Sequence, residues 1–195
     1  MAFGKVKTGY SLPWVATYSA AGTTVTYTGG MRLARGVEAS YDIETSDDNN
    51  FYADNIEAES DSGVFQSGTL NLTVDGLLSA AEKLIMGLPA ADTSTGLTPY
   101  GDDQAIPDCG VGFIYRYMSE GVTKYTPVIF PRVQFSQLSD SGSTQEDAID
   151  WQTQELTATI KRAEDAKHNW KYVGADQATE AAAEAVIKTF LGVTG

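Results

Sequence analysis

The side chains that most often perform catalysis are scarce in this chain. Its 195 residues include one histidine, His168, and one cysteine, Cys109. His168 lies in the charged segment 164–169, which is typical of a solvated connection, and a Ser-His-Asp triad would have no other histidine to use. Cys109 precedes an apolar stretch and is expected to be a small buried side chain. The sequence contains no nucleotide, phosphate or zinc-protease motif, so we predict neither enzymatic activity nor a cofactor.

Carboxylates are the abundant reactive groups. The chain has 26 Asp and Glu residues against 13 Lys and Arg, which gives a formal net charge of −13. A pair of carboxylates about 5–10 Å apart could hydrolyse glycosides, but with so many acids some pair meets that distance by chance. Asp47 to Asn50, with Asp54, offer hard oxygen ligands for calcium but do not follow the EF-hand spacing. A calcium site and a plain solvated loop therefore both remain open.

The acids are unevenly distributed along the chain. Between Arg35 and Lys83 there is no basic residue, whereas eleven acids occur. They are Glu38, Asp42, Glu44, Asp47, Asp48, Asp54, Glu57, Glu59, Asp61, Asp75 and Glu82. Such a chain is unsuited to wrapping nucleic acid, which requires a basic surface. The excess acid indicates either general solubility or a surface that must not adhere to a negatively charged partner.

The elements that position these acids are mostly strands. With 42% apolar and 10% aromatic residues the chain can bury a core, and no apolar run is long enough to span a membrane. Alternation and turn signals predict a mainly β fold, a β-sandwich or barrel-like sheet with one short helix and a C-terminal helix. The predicted elements are a hairpin at 10–35, strands at 37–44, 69–74 and 151–160, a hairpin at 111–135, and helices at 77–88 and 176–191. In the predicted strand at 37–44, Glu38, Asp42 and Glu44 fall on the solvent-facing side, opposite Val37, Ala39, Tyr41 and Ile43.

Residues 45–67 lack a clear period and are predicted to form a long loop. Connections of this length are usually functional, and apolar residues within it suggest that it docks on another surface. The candidate docking residues are Asp47, Asp48, Phe51, Tyr52, Asp54 and Phe65. In the second arm of the later hairpin, Pro127 and Pro131 predict either an edge strand or a strand broken by bulges.

Several segments, taken in order, carry a resemblance to a known family. They are Phe51 to Asn55, Gly68 to Leu72 with Leu84 to Leu88, Gly110 to Tyr117, Tyr125 to Phe135, Thr144 to Leu156, and Trp170 to Gly174. In order and spacing these segments resemble the major tail protein of long, non-contractile-tailed phages of Gram-positive bacteria. The resemblance covers the chain from about Ala34 to Ile160, and no single motif in it is diagnostic.

The resemblance implies a structural virion protein, made in the host cytoplasm, that closes into hexameric rings stacked around a channel for DNA. Its implied partners are further copies of itself and other tail proteins, such as the tape measure and tail terminator proteins. The resemblance also implies that the long loop packs on a neighbouring subunit, which makes its candidate docking residues candidate inter-subunit residues. DNA would pass transiently without specific binding, and no membrane, metal or cofactor is implied. The expected organisation is an N-terminal arm at 1–35, a tube domain at 36–172 with the long loop, and a C-terminal helical extension at 173–195.

Three hypotheses about the function and its site follow. Glu38, Asp42 and Glu44, together with Asn71 and its neighbours Thr69 and Thr73, are predicted to line the channel, because an acid-rich wall repels phosphate. The alternative function is a carbohydrate- or host-surface-binding β-sandwich in which Trp14, Tyr18, Tyr100 and Trp151 stack on sugars. An acidic hydrolase is a third, weaker hypothesis.

Overall fold

The chain folds into ten strands and two helices within the residues that its computed structural model describes, 4–47, 49–53, 56–61, 63–102, 104–139 and 152–193. The elements are β1 (Val6–Ala21), β2 (Thr24–Arg32), β3 (Gly36–Thr45), β4 (Asn49–Ala53), β5 (Ile56–Asp61), β6 (Phe65–Val74), α1 (Ser79–Met86), β7 (Asp108–Ser119), β8 (Val122–Phe135), β9 (Gln154–Ile160), β10 (Tyr172–Val173) and α2 (Glu180–Phe190). The predicted mainly β class, with one short helix and a C-terminal helix, is confirmed.

One antiparallel sheet contains most of the strands. Its order is β2-β1-β7-β8-β9-β6-β3, with β10 paired to β8, while β4 and β5 form a separate pair. The sheet curls strongly, since Tyr115 of β7 donates a hydrogen bond to the carbonyl of Ala39 in β3 at 3.4 Å. The rings of Tyr41 in β3 and Phe130 in β8 also meet, at 5.3 Å between centroids. The ladder is continuous from β2 to β3, so the strands surround the core as one barrel-like sheet and do not divide into two stacked sheets.

The concave face of the sheet holds the main core. As the alternation predicts, Leu70, Leu72 and Val74 of β6 are buried, and so are the predicted inward residues of β9, Leu156, Ala158 and Ile160. Helix α1 closes this core with Ala81, Ile85 and Met86. Val37 was predicted to face inward, but it is 54% exposed because the pairing of β3 with β6 shifts register between Gly36 and Glu38.

Helix α2 covers part of the convex face. Ala183, Ile187 and Leu191 pack against Ala16, Ile114 and Ile129 of β1, β7 and β8. The approach is close, because a Cβ added at Gly112 would lie 2.5 Å from the Ile187 side chain. The helix begins at Glu180, after the predicted start, since Gln177 is held in a β-bridge to Tyr125 of β8.

The terminal segments are integral parts of the sheet. Strand β1 lies between β2 and β7, so the N-terminal hairpin is no separate arm. Strand β10 pairs with β8 through Tyr172 and Val173, and α2 follows it onto the convex face. The predicted division at residues 35 and 172 therefore does not mark an arm or a detached extension among the described residues.

Strand β8 lies inside the sheet, so its prediction as an edge strand is wrong. The alternative interpretation, a strand interrupted by a bulge, is right for Pro131, because Cys109 pairs with Val133 and Val111 pairs with Phe130. Two residues of β8 therefore oppose Gly110 alone, and the ladder needs no donor from Pro131. The carbonyl of Pro127 accepts a hydrogen bond from Gly174 at 2.9 Å.

The region 45–67 is a hairpin extension, which corrects its prediction as an irregular loop. The backbone N–H of Ser46 donates to the carbonyl of Val64 at 2.9 Å, and beyond this pair β4 and β5 continue as their own antiparallel pair. Phe65 belongs to β6 and is buried within its own chain, stacked on Trp170 with centroids 5.0 Å apart. Its assignment as an inter-subunit loop residue is therefore wrong.

The turn between β7 and β8 gives a stability prediction. Glu120 and Gly121 both have positive φ, +51° and +78°, which is the geometry of a type I′ turn. Asparagine tolerates this backbone better than glutamate, so Glu120→Asn is expected to raise the free energy of unfolding by about 0.5–1 kcal/mol. Urea unfolding followed by tryptophan fluorescence measures the change. Glu120→Val is the control and is expected to lower stability, and a stabilised valine variant would contradict the argument.

Candidate functional site

The candidate site is the part of the convex face that α2 leaves uncovered, which we call the acidic face. It consists of the outward side chains of β3, β6 and β9, which are Glu38, Ser40, Asp42, Glu44, Ser67, Thr69, Asn71, Thr73, Glu155, Thr157 and Thr159. All are polar, four are carboxylates, and none of the three strands contains a lysine or arginine. The face is therefore an acidic surface without a base of its own.

Strand pairing brings the predicted channel-lining residues together. Glu38 pairs with Thr73 and Asp42 with Thr69, while Asn71 lies between Ser40 of β3 and Thr157 of β9. The carboxylate of Glu44 accepts a hydrogen bond from Ser67 at 2.8 Å. The amide oxygen of Asn71 accepts one from Thr157 at 3.1 Å. The four predicted residues thus share one face, although which surface they meet in an assembly stays a prediction.

The carboxylates of the acidic face are open to solvent. The side chains of Glu38 and Asp42 are exposed, and their carboxylates make no hydrogen bond or ion pair with the residues that the structure describes. They stand four residues apart on one strand, about 13 Å at a rise of about 3.3 Å per residue. At physiological ionic strength a charge is felt over about 8 Å. A polyanion must therefore come close to this face before it is repelled, as it would inside a narrow channel.

Nearby basic residues are engaged with other groups. At one end, Arg35 pairs with Asp75 at 2.5 Å. At the other end, Asp108 binds Arg132 at 2.7 Å and Lys161 at 2.9 Å. Burial opposes ionisation of Asp108, but the hydrogen bonds from Lys161 and Arg132 outweigh it and lower its pKa. Arg132 also binds Glu164 at 2.7 Å, so two carboxylates compensate the two bases at this end and leave the acidic face negative.

Sequence reasoning missed Glu155, which extends the acidic face onto a third strand. It lies opposite Thr73 in the pairing of β6 with β9, and a groove of about 210 Å³ brings it together with Glu38 and Asn71. The signal was present, since Glu155 precedes the buried Leu156 in an alternating strand. What the sequence could not supply was the neighbour of β9 in the sheet.

The hairpin extension carries most of the predicted docking residues. Asp47 is exposed at its base, and Phe51 and Tyr52 lie on β4, paired with Glu59 and Glu57 of β5. Asp48 and Asp54 lie outside the described residues, and so the calcium hypothesis stays a prediction. Within the described ranges, no three His, Cys, Asp or Glu side chains come close enough to share a metal ion.

The catalytic candidates of the sequence occupy structural positions. Cys109 is fully buried, and burial raises the pKa of its thiol to about 12. His168 lies in a turn where its Nδ1 is 3.3 Å from the carbonyl oxygen of Ala163. Among the residues that the structure describes, the side-chain hydrogen-bond partner of each is a backbone carbonyl, Pro107 for Cys109 and Ala163 for His168.

The residues proposed for sugar stacking do not form one platform. Trp14 donates to Glu184 of α2 at 3.2 Å and also has Lys188 over its ring, while Tyr18 is buried. Tyr100 is 56% exposed, in the connection after α1, and Trp151 lies outside the described residues. Trp14 and Tyr18 lie on one strand, but Tyr18 is covered and Tyr100 belongs to a distant connection, so these three rings offer no common stacking surface.

Comparison with known sequences adds no further constraint on the function. In the described part of the chain, neither helix has the length and apolar character needed to cross a membrane. No family model matches the chain, and no curated protein matches it significantly.

Proposed function

We propose that this chain is a structural subunit of a phage tail tube, which self-assembles into stacked hexameric rings whose channel is lined by the acidic face. The observation that carries the proposal is the contrast between the two halves of the convex surface. Helix α2 covers the half formed by β1, β7 and β8, whereas the half formed by β3, β6 and β9 is open, polar and without bases. In this proposal the protein acts in the virion and works together with other tail proteins, such as the tape measure and tail terminator proteins.

The chemistry of the acidic face suits a conduit for DNA. Duplex DNA carries one negative charge per about 1.7 Å of axis, and each lysine or arginine that meets a phosphate gains binding energy by releasing counterions. A channel that must let DNA slide should therefore lack such bases. The four carboxylates of the acidic face, Glu38, Asp42, Glu44 and Glu155, repel phosphate. The serine and threonine hydroxyls between them bind water along the channel wall.

The hairpin extension supports assembly with other copies. Strands β4 and β5 pair with each other and with no other described strand. An isolated two-stranded hairpin is marginally stable in water, so it gains stability from a partner surface. Strands β2 and β3 are the edge strands of the described sheet. In a ring of identical subunits, such edges can pair with strands of the neighbouring subunits.

Charge reversal on the acidic face tests the conduit directly. The double variant Glu38→Lys and Asp42→Lys is expected to form normal tubes that retain short duplex DNA, whereas wild-type tubes release it. DNA retention by this variant should fall as salt rises. A plot of its logarithm against the logarithm of salt concentration should have a slope steeper than about −1, because counterion release drives the binding. Co-sedimentation of labelled DNA with the tubes, at several salt concentrations, measures the effect.

The matched control is Asp102→Lys and Glu120→Lys, two exposed residues outside the acidic face that give the same change in charge. This control is expected to leave DNA retention close to that of wild type. Equal retention by the two double variants would mean that net charge matters and position does not, which contradicts a channel lined by the acidic face. A protein that remains a monodisperse monomer at high concentration would contradict the assembly itself.

A further inference from the structure

A cleft lies at the C-terminal end of α2, outside the acidic face. It has a volume of about 430 Å³ and lies between β2, the connection 163–172 and the last turn of the helix. The lining residues that give it its chemistry are Tyr27, Asp165, Tyr172, Thr189, Phe190 and Gly192. We call it the aromatic cleft, because three aromatic rings, those of Tyr27, Tyr172 and Phe190, line it.

The three rings form a connected cluster. The centroid of Phe190 lies 5.4 Å from that of Tyr27 and 5.1 Å from that of Tyr172, with tilted planes. The Tyr27 hydroxyl donates to the carbonyl of Pro131 at 3.0 Å, and that of Tyr172 donates to Asp165 at 2.7 Å. These bonds fix the rings, and the faces of aromatic rings attract cations.

One uncompensated carboxylate completes the lining. Asp165 accepts hydrogen bonds from Asn169 and Tyr172, and it forms no ion pair with any described lysine or arginine. Burial opposes its ionisation, but these bonds and those from the backbone of Asn169 and Lys167 prevail and lower its pKa to about 2. Asp165 is therefore a fixed negative charge at neutral pH.

The end of α2 adds a third favourable feature for a cation. Thr189, Phe190 and Gly192 bring the C-terminal turn of the helix to the cleft, and this end of a helix carries partial negative charge. Gly192 has φ of +61°, and a Cβ there would lie 3.2 Å from the carbonyl oxygen of Tyr27. The helix end thus approaches β2 closely enough to share one cleft with it.

We propose that the aromatic cleft binds an organic ammonium group against its three rings and the carboxylate of Asp165. The charge of the ligand, and not only its apolar surface, then determines the affinity. The group could come from a free quaternary amine or from a lysine side chain of another protein, since each presents a positively charged nitrogen, quaternary in the one and primary in the other.

Titration of the ¹⁵N-labelled protein, followed by amide chemical shifts, tests this proposal. Choline is the cationic probe, and 3,3-dimethylbutan-1-ol is its neutral analogue of the same shape. Choline is expected to shift amides around the cleft and to bind about 5-fold more tightly than the neutral analogue. Nα-acetyl-lysine amide distinguishes the sources: tighter binding than choline indicates a protein lysine, and weaker binding indicates a free quaternary amine.

The variant Phe190→Leu keeps an apolar side chain but removes one ring. This variant is expected to bind choline about 5-fold more weakly than wild type and to keep the wild-type affinity for the neutral analogue. Tyr100→Leu, which removes an exposed ring outside the cleft, is the matched control and should bind choline as wild type does. Equal affinity of wild-type protein for choline and its neutral analogue, or no shift from choline at the cleft, would overturn the proposal.

Discussion

Replacing residues 47–63 with an Asn-Gly turn is expected to abolish assembly and to leave the fold of the single chain intact. The backbone hydrogen bond between Ser46 and Val64 brings the two cut points together, so a two-residue turn can join them. The described core is formed by residues outside β4 and β5. Loop length changes stability only slowly. We therefore expect the free energy of unfolding to change by less than about 1 kcal/mol.

Two measurements on this deletion variant separate folding from assembly. Urea unfolding reports the stability of the chain, and negative-stain electron microscopy with light scattering reports rings and tubes. Glu120→Asn, which alters a different hairpin turn, is the control and should assemble as wild type does. Normal tubes from the deletion variant would show that the hairpin extension has no role in assembly.

Phe113→Ala is expected to lower the free energy of unfolding by about 3–5 kcal/mol. Phe113 is fully buried, and its ring lies 5.2 Å from Tyr10, 5.1 Å from Tyr115 and 6.0 Å from Phe130. It thus joins strands β1, β7 and β8 at the centre of the concave core. Domains of this size have about 5–15 kcal/mol of stability in total, so much of it would be lost.

Urea unfolding measures this effect as well. Phe113→Leu, which keeps most of the buried volume, is expected to lose less than the alanine variant. Tyr100→Ala removes an exposed ring and should change the free energy of unfolding by less than about 1 kcal/mol. A Phe113→Ala variant as stable as Tyr100→Ala would contradict the assignment of the core.

Alternating strands could be predicted from the sequence because one face of each is buried. Leu70, Leu72 and Val74 have the predicted orientation, and on the opposite side of the same sheet region Glu38 and Asp42 are exposed as expected. Alternation of apolar and polar residues determines which face of such a strand is buried, because a register shift of one residue would expose all its apolar side chains.

Features that depend on tertiary neighbours could not be predicted in this way. Ser79 and Glu82 have the spacing of a capping box, yet Leu78 is the N-cap of α1 and Glu82 accepts a hydrogen bond from Tyr100. Phe65 resembled a loop residue because acids, serines and glycine precede it, but Trp170, far along the chain, covers it. Strand order placed Glu155 beside the predicted acids, and order is not encoded in local periodicity.

The hairpin extension shows that composition alone also fails to predict strand pairing. Asp, Asn, Ser and Glu favour turns, so the stretch from 45 to 67 was predicted as a loop. The antiparallel pairing of Asn49 with Asp61 and of Ala53 with Ile56 gives it strand structure despite that composition.

The central claim is that the acidic face lines the channel of a ring-forming assembly, and a cryo-electron microscopy reconstruction of the purified, assembled protein tests it most directly. The account predicts stacked rings in which Glu38, Asp42 and Asn71 point into the channel and α2 lies away from it. Rings with these side chains on the outer surface, or particles that remain single chains, would contradict the account.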